Sequence, residues 1–317
     1  MTPTQLRAFA AVVRLGSVRK AAAQLTVSEA AVSGHVAQLR RELGDRLFTP
    51  TAAGLAFTPG GLRLASRAAE ILGLQDRTIL EVSQAGNGRR LLRVAASMLF
   101  AEHAAPGLLE LFSARAADLD VELSVHSPRE FNALLATRAV DLAIGPRPPD
   151  LDESVRFQPF LNYQMAMVVR PDHPLAAVPP SLSQLRDETW LLGPSAAAEI
   201  GLVPTILRRL AVPEHHQQIF QSHVAALEEA KRGKGIALAV SFAVQQDIAN
   251  GDLKRLATAV PTDGVWGIIS LGSRDVPPAA AELSRFVHSP RATQAMLRGS
   301  GVTVGRFRPS IHVTLWS

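Results

Sequence analysis

Few side chains in this 317-residue chain have both the type and the placement to do chemistry. Those that do stand at the ends of apolar runs of strand length. Ser97 follows one such run, and Ser127-Pro128-Arg129 and Gly145-Pro146-Arg147 follow two others. Further on, Gly193-Pro194-Ser195 follows a similar run, and Ser222-His223 precedes a helical stretch. Ligands of open α/β sheets collect outside the carboxyl ends of the strands. There, Ser97 and Ser195 would offer hydroxyls and helix N-termini, a setting that favours an anion. Arg129 and Arg147 would add charge, and His223 a polar contact. The expected ligand is a small anionic metabolite. The plainer alternative is that the serines only cap helices and the arginines are solvated.

Signatures of catalysis are missing. The sequence has no Gly-x-Ser-x-Gly elbow, no Gly-x-x-x-x-Gly-Lys phosphate loop and no His-Glu-x-x-His. Glu214-His215-His216 has the wrong spacing for that zinc motif and is expected to be a surface histidine pair. Cysteine is absent, which excludes disulfides, thiolate metal sites and thiol redox sensing. No enzyme activity, no cofactor and no metal site is expected. Neither a signal peptide nor an apolar run of membrane-spanning length is visible, so a soluble, cytoplasmic protein with no membrane partner is expected.

The net charge is +5, and its location is informative. Residues 1–58 hold seven bases (Arg7, Arg14, Arg19, Lys20, Arg40, Arg41, Arg46) against three acids (Glu29, Glu42, Asp45). A local basic excess attracts nucleic-acid phosphates. The same stretch has helical periodicity. Leu6, Phe9, Ala10 and Val13 share a face; Ser17 can cap a second helix with Ala21, Ala22 and Leu25 inside. Ser28 can cap a third, whose inner face is Val32, Val36, Leu39 and Leu43. Its other face is small or polar and can lie against a surface. Two short strands around a Pro/Gly loop follow, which makes a winged helix-turn-helix. Candidate DNA contacts are Arg19, Lys20, Ser28, Glu29, Ser33, His35 and Gln38.

Thr58 and Pro59 open a long helix running to about Ser83. Leu62, Ala65, Ala69, Leu72, Asp76 and Ile79 alternate by three and four, a coiled-coil seam that implies a partner helix. From Leu91 the pattern becomes alternating strands and helices, an α/β fold in two parts. The expected organisation is a DNA-binding domain over 1–58, a dimerisation helix and hinge over 59–90, and an effector-binding domain over 91–298. Within the last, subdomain I takes 91–162 and 265–298, and subdomain II takes 163–264. Residues 299–317 are a basic, β-prone tail with no assigned role.

The segment Ser17 to Gly61 resembles the DNA-binding domain of LysR-type transcriptional regulators. The resemblance rests on Ser17-Val18-Arg19-Lys20-Ala21-Ala22, Leu25, Val27-Ser28, Ala31-Val32-Ser33, Leu39, Glu42-Leu43-Gly44, Leu47-Phe48 and Thr58-Pro59-Gly60-Gly61. The α/β region resembles the family's effector domain, which is like a periplasmic solute-binding protein. Its marks are Leu134-Leu135, Val140-Asp141-Leu142-Ala143-Ile144 and Pro171-Asp172-His173-Pro174-Leu175. Arg147-Pro148-Pro149, Pro159-Phe160-Leu161-Asn162 and Pro171-Asp172-His173-Pro174 are most similar to the branch regulating carbon-fixation operons. The resemblance implies promoter DNA as partner, a homodimer, a tetramer through the α/β domains, and RNA polymerase as a further candidate partner. Three departures bear on the operator. Glu29-Ala30 stand where the family usually has Gln-Pro, Gly34 stands where Arg is frequent, and the wing Thr49 to Gly54 carries no basic residue. The competing function is a solute-binding protein with an appended interaction domain and no DNA target.

Overall fold

The computed structural model describes residues 1–51, 54–116, 118–272 and 276–298. The tail at 299–317 and the wing tip at 52–53 lie outside the described residues. The chain divides into two compact units, residues 1–87 with 136–139, and residues 88–135 with 140 onward.

Local capping chemistry starts each helix of the first unit. Thr2 and Gln5 form a capping box for α1 (Pro3–Leu15). Ser17 accepts from the Lys20 amide to open α2 (Val18–Leu25), and Ser28 accepts from Ala31 to open α3 (Glu29–Leu43). Phe9, Val12, Ala21, Val32, Val36 and Leu39 meet in one buried cluster. Helix α1 buries Ala8, Ala11 and Val12 more deeply than the expected Ala10 and Val13, and Leu43, expected inside, is 45% exposed at the end of α3. Strands β1 (Phe48–Thr51) and β2 (Gly54–Phe57) pair antiparallel as the wing. Arg40 fixes the wing rather than facing outward: its Nη2 donates to the Phe48 carbonyl at 2.8 Å and its guanidinium lies over the Phe48 ring. Asp45 Oδ1 accepts from the Leu47 amide at 2.6 Å and the Thr58 hydroxyl at 2.7 Å, tying the wing to the next helix.

That helix, α4 (Pro59–Asn87), extends four residues beyond the expected Ser83. At its start a Cβ on Gly61 would lie 1.9 Å from the Leu47 carbonyl oxygen, so only glycine admits this approach. Two positions of the expected seam are used within the unit. Ala65 packs against the domain core, and Asp76 accepts from Arg7 Nη2 at 2.9 Å. A set of large apolar side chains on α4 stays exposed: Leu62, Ile71, Leu74, Ile79 and Val82.

The second unit alternates strands and helices. Strand β3 (Arg90–Ala96) leads to α5 (Met98–His103) and α6 (Ala105–Ser113). The sequence pattern suggests one helix over Ala101 to Arg115; the break at Ala104 arises because Pro106 cannot continue the hydrogen-bond ladder. Then come β4 (Leu119–Val125), α7 (Phe131–Ala136), β5 (Leu142–Gly145) and β6 (Val155–Val169). The remainder is α8 (Leu182–Asp187), β7 (Trp190–Leu192), α9 (Leu202–Arg209), β8 (Gln217–Ile219) and α10 (His223–Lys231). It closes with β9 (Ile236–Val240), α11 (Gln245–Ala249), β10 (Lys254–Arg255), β11 (Asp263–Leu271), α12 (Pro278–Phe286) and α13 (Pro290–Leu297).

The strand order is β4-β3-β5-β11-β6-β9-β7-β8, with β10 also on β6. β3 runs parallel to β4 and β5, and β7 parallel to β8 and β9, so each half has a parallel core. The two halves share β6, which pairs with β11 over Val155–Gln164 and with β9 over Met165–Val168. The two strands suggested by Phe157–Leu161 and Met165–Arg170 are thus one continuous strand. Both crossings lie together, since Gly264 pairs with Tyr163 and the Met165 amide donates to the Thr262 carbonyl at 2.8 Å.

Candidate functional sites

On the first unit, α3 presents an open face. Ser28, Glu29, Ser33 and Gly34 are exposed, as are Arg19 and Lys20 at the start of α2. His35 and Gln38 are half-buried. Gln38 is engaged, donating to Glu42 at 3.3 Å and accepting from Arg41. The Ser28 hydroxyl spends one lone pair on its cap, 3.1 Å from the Ala31 amide. The polar side chains free to meet another surface therefore concentrate on the first two turns of α3, where Val32 and Val36 anchor the opposite face in the core.

In the second unit, a cavity of about 510 Å³ opens between the two halves of the sheet. Ser97 and Met98 after β3, His126 and Ser127 after β4, and Pro146 after β5 line one side. Ser195 and the segment from Ile200 to Pro204 line the other, with Tyr163 and Trp266 at the crossings. Most of the wall is apolar; among the described residues it holds no lysine or arginine, and Glu130, which accepts from the Ser127 amide at 2.8 Å, is its one carboxylate.

Two polar atoms in this wall lack partners. Ser97 begins α5 yet makes no capping bond, and its buried Oγ has no hydrogen-bond partner; nor has the buried Nε1 of Trp266. Buried polar groups are nearly always paired, so a hydroxyl and an N–H left unpaired in two residues that line the cavity mark a place for an acceptor-bearing ligand. Trp266 stacks on Tyr163 with ring centroids 4.0 Å apart, and burial pushes the Tyr163 phenol up to about 12.

Ser195 is the outer member of a relay. Its Oγ lies 2.8 Å from His223 Nε2; His223 Nδ1 bonds the Glu102 carboxylate, whose other oxygen accepts from the His223 amide at 3.0 Å. His223 is only 2% exposed. Close backbone approach makes this possible, because a Cβ on Gly193 would come within 2.5 Å of the imidazole. Burial works against ionised Glu102, but the bonds and charge of His223 outweigh it and hold the carboxyl below its ordinary range. His103, adjacent, is held down to about 4, first by burial and then by the His223 charge.

The structure thus brings Ser97 and Ser195 to one cavity and sets His223 directly behind Ser195. The capping alternative for these serines is not what the bonding shows. Arg129 and Arg147 stand outside the wall: Arg129 Nε pairs with Glu199 at 3.0 Å, and Arg147 lies over the Phe157 ring. Sequence reasoning missed Trp266, Glu102 and His103. The helical reading of Ala101–Arg115 was the nearest signal for the last two, which lie on α5 beside the cavity-lining Ser97.

The profile of the bacterial regulatory helix-turn-helix protein, lysR family, matches residues 3–62, and that of the LysR substrate binding domain matches residues 85–290. The chain belongs to the LysR family of transcriptional regulators. An uncharacterized HTH-type transcriptional regulator of Mycobacterium tuberculosis is 57% identical over the full length of both chains. The RuBisCO operon transcriptional regulator of Allochromatium vinosum is 26% identical, covering 91% of this chain and 96% of that one. Regulator CbbR of Rhizobium meliloti is 28% identical over 90% and 92%. Carbon-fixation regulators are therefore distant relatives of this LysR-family chain. In fold it is similar to a full-length OxyR variant of Pseudomonas aeruginosa (TM-score 0.58, 22% identity, 91% and 98% covered). It is likewise similar to CbnR, a LysR family transcriptional regulator (TM-score 0.57, 18% identity, 93% and 99% covered). This LysR-family protein is a DNA-binding transcriptional regulator with an effector domain, and not an enzyme. Among the described residues no helix is long and apolar enough to cross a membrane.

Proposed function

We propose that the effector is a small metabolite bound between the halves of the α/β unit and that it controls the affinity of α3 for promoter DNA. The unpartnered Ser97 Oγ in the cavity wall is the observation that carries this reading. A hydroxyl left without a partner beside a cavity suits a carboxylate or carbonyl group. A largely apolar wall that holds the carboxylate Glu130 and, among the described residues, no lysine or arginine suits an effector with an apolar body and at most one acidic head better than a heavily phosphorylated one. Anionic character is kept from the sequence expectation, and its contacts are hydroxyl and N–H groups instead of Arg129 and Arg147.

The working form is a cytoplasmic homodimer joined through α4, with tetramers forming through the α/β units. The exposed apolar side chains on α4 support a second copy of that helix as their cover. CbnR has been crystallised with its target DNA, and by analogy we place the first two turns of α3 against the operator, around Ser28, Glu29, Ser33 and His35. Arg19 and Lys20 are placed on phosphates.

Calorimetry with a panel of mono- and dicarboxylated and phosphorylated metabolites tests the effector reading. Ser97→Ala should weaken the effector by about ten- to a hundredfold, since a hydrogen bond to a charged group contributes about 1.5–3 kcal/mol. Equal binding by Ser97→Ala, or preference for a bisphosphate, would contradict it.

A further inference from the structure

Glu102 and His103 end α5 in the first half of the α/β unit, and His223 begins α10 in the second. One ligand atom from each lies within 4.8 Å of the others. The two imidazoles stand edge to face with centroids 5.1 Å apart. His103 is 7% exposed, and its Nε2 has no hydrogen-bond partner. An orphaned, buried ring nitrogen beside a second imidazole and a carboxylate is unexplained by packing, because such atoms are almost always paired.

We propose that Glu102, His103 and His223 form a binding site for one divalent transition-metal ion of the zinc class. Two imidazoles and a carboxylate are a borderline-soft set that suits Zn²⁺ and its neighbours over Mg²⁺ or Ca²⁺. Metal–ligand bonds of about 2.0–2.2 Å place tetrahedral ligand atoms roughly 3.4 Å apart. The ligand atoms already lie within 4.8 Å of one another, so closing to that spacing needs only a modest shift.

The surroundings supply what such a site needs. The outer nitrogen of His223 is anchored by Ser195 Oγ at 2.8 Å, which turns Nδ1 toward Glu102. Such outer-sphere bonds orient metal-binding histidines. The ion takes the place of the direct His223–Glu102 bond. Three protein ligands leave a fourth position for water or a donor atom of a second ligand. An ion here ties the two halves together next to the cavity that Ser195 lines, so metal and effector share His223 as a common element.

The test uses full-length protein stripped with a chelator, without DNA or metabolites, so its outcome is independent of the effector reading. Zn²⁺ is titrated against a chromophoric competitor, and Co²⁺ by its visible spectrum. One ion per chain is expected, with intense four-coordinate Co²⁺ bands. Glu102→Gln and His103→Gln should each weaken Zn²⁺ tenfold or more. Ser195→Ala, which removes no ligand, should weaken it by about ten- to a hundredfold. The double variant His215→Gln/His216→Gln, which removes the surface histidine pair, should bind like wild type. Circular dichroism of each variant verifies folding, and the wild-type Co²⁺ spectrum stands if one variant fails to fold. No binding at micromolar Zn²⁺, binding unchanged in Glu102→Gln and His103→Gln, or loss of binding in the surface double variant would overturn the proposal.

Discussion

Ser195 and His223 are joined by a 2.8 Å bond between the serine Oγ and the imidazole Nε2, which makes the cavity wall continuous with the joint between the two halves. A change in what Ser195 touches is felt by a buried histidine that also bonds Glu102 across that joint. This gives a physical route from an occupied cavity to the relative placement of the halves. A ligand shifts such an equilibrium only by binding one arrangement better.

Gly193 is the tightest constraint on that arrangement. Gly193→Ala places a methyl group within 2.5 Å of the His223 ring, and overpacking of this kind costs about 1–3 kcal/mol. The expected result is a lower melting temperature and a lost response of DNA binding to effector, with the fold retained. A variant as stable and responsive as wild type would place His223 elsewhere.

Acid should loosen the protein in a defined window. His103 is held at about 4, mainly by burial, from an ordinary 6.5. Below 6.5 the unfolded chain takes up a proton that the folded chain refuses, so stability falls as pH drops toward 4. The full effect is on the order of 3 kcal/mol. Glu102 adds in the same direction, because its stabilisation is present above the ordinary carboxylate range and disappears as pH falls through its lowered folded value. Melting curves of chelator-stripped protein between pH 7 and 4 should show this decline, and His103→Leu should flatten it. An unchanged slope in that variant would contradict the assignment.

Helix α4 leaves Ile79 59% exposed, one of several large apolar side chains uncovered on this helix. If a second α4 covers it, Ile79→Arg sets like charges against each other at the contact. Light scattering should then show dimers for wild type and monomers for Ile79→Arg. A monomeric wild type, or an intact dimer of the variant, would remove α4 from the interface.

What was legible in the sequence was local. Ser17 and Ser28 cap helices by reaching three residues ahead, and Phe9, Val32, Val36 and Leu39 repeat at helical spacing, so the first unit follows from neighbouring residues. Ser97 and Ser195 were accessible by rule, as residues after strands of an α/β unit. The relay was not, since Glu102, Ser195 and His223 are far apart in the chain and meet only when both halves fold. Likewise, the pairing of Arg129 with Glu199, residues seventy positions apart, has no signature in either segment. Trp266 was concealed because its strand reads as core, and only the structure shows its Nε1 without a partner.

The central claim is that this regulator reads DNA through the exposed face of α3. Ser33 is exposed on that face, opposite the buried Val32 and Val36, so Ser33→Glu should leave the fold intact. The direct measurement is fluorescence anisotropy with a duplex from upstream of the protein's own gene, at one fixed salt concentration because phosphate contacts are salt-dependent. A carboxylate against phosphates costs several kcal/mol, so Ser33→Glu should bind at least about a hundredfold more weakly than wild type, with unchanged circular dichroism. Equal affinity of the two proteins for the duplex would contradict the placement of α3 on DNA.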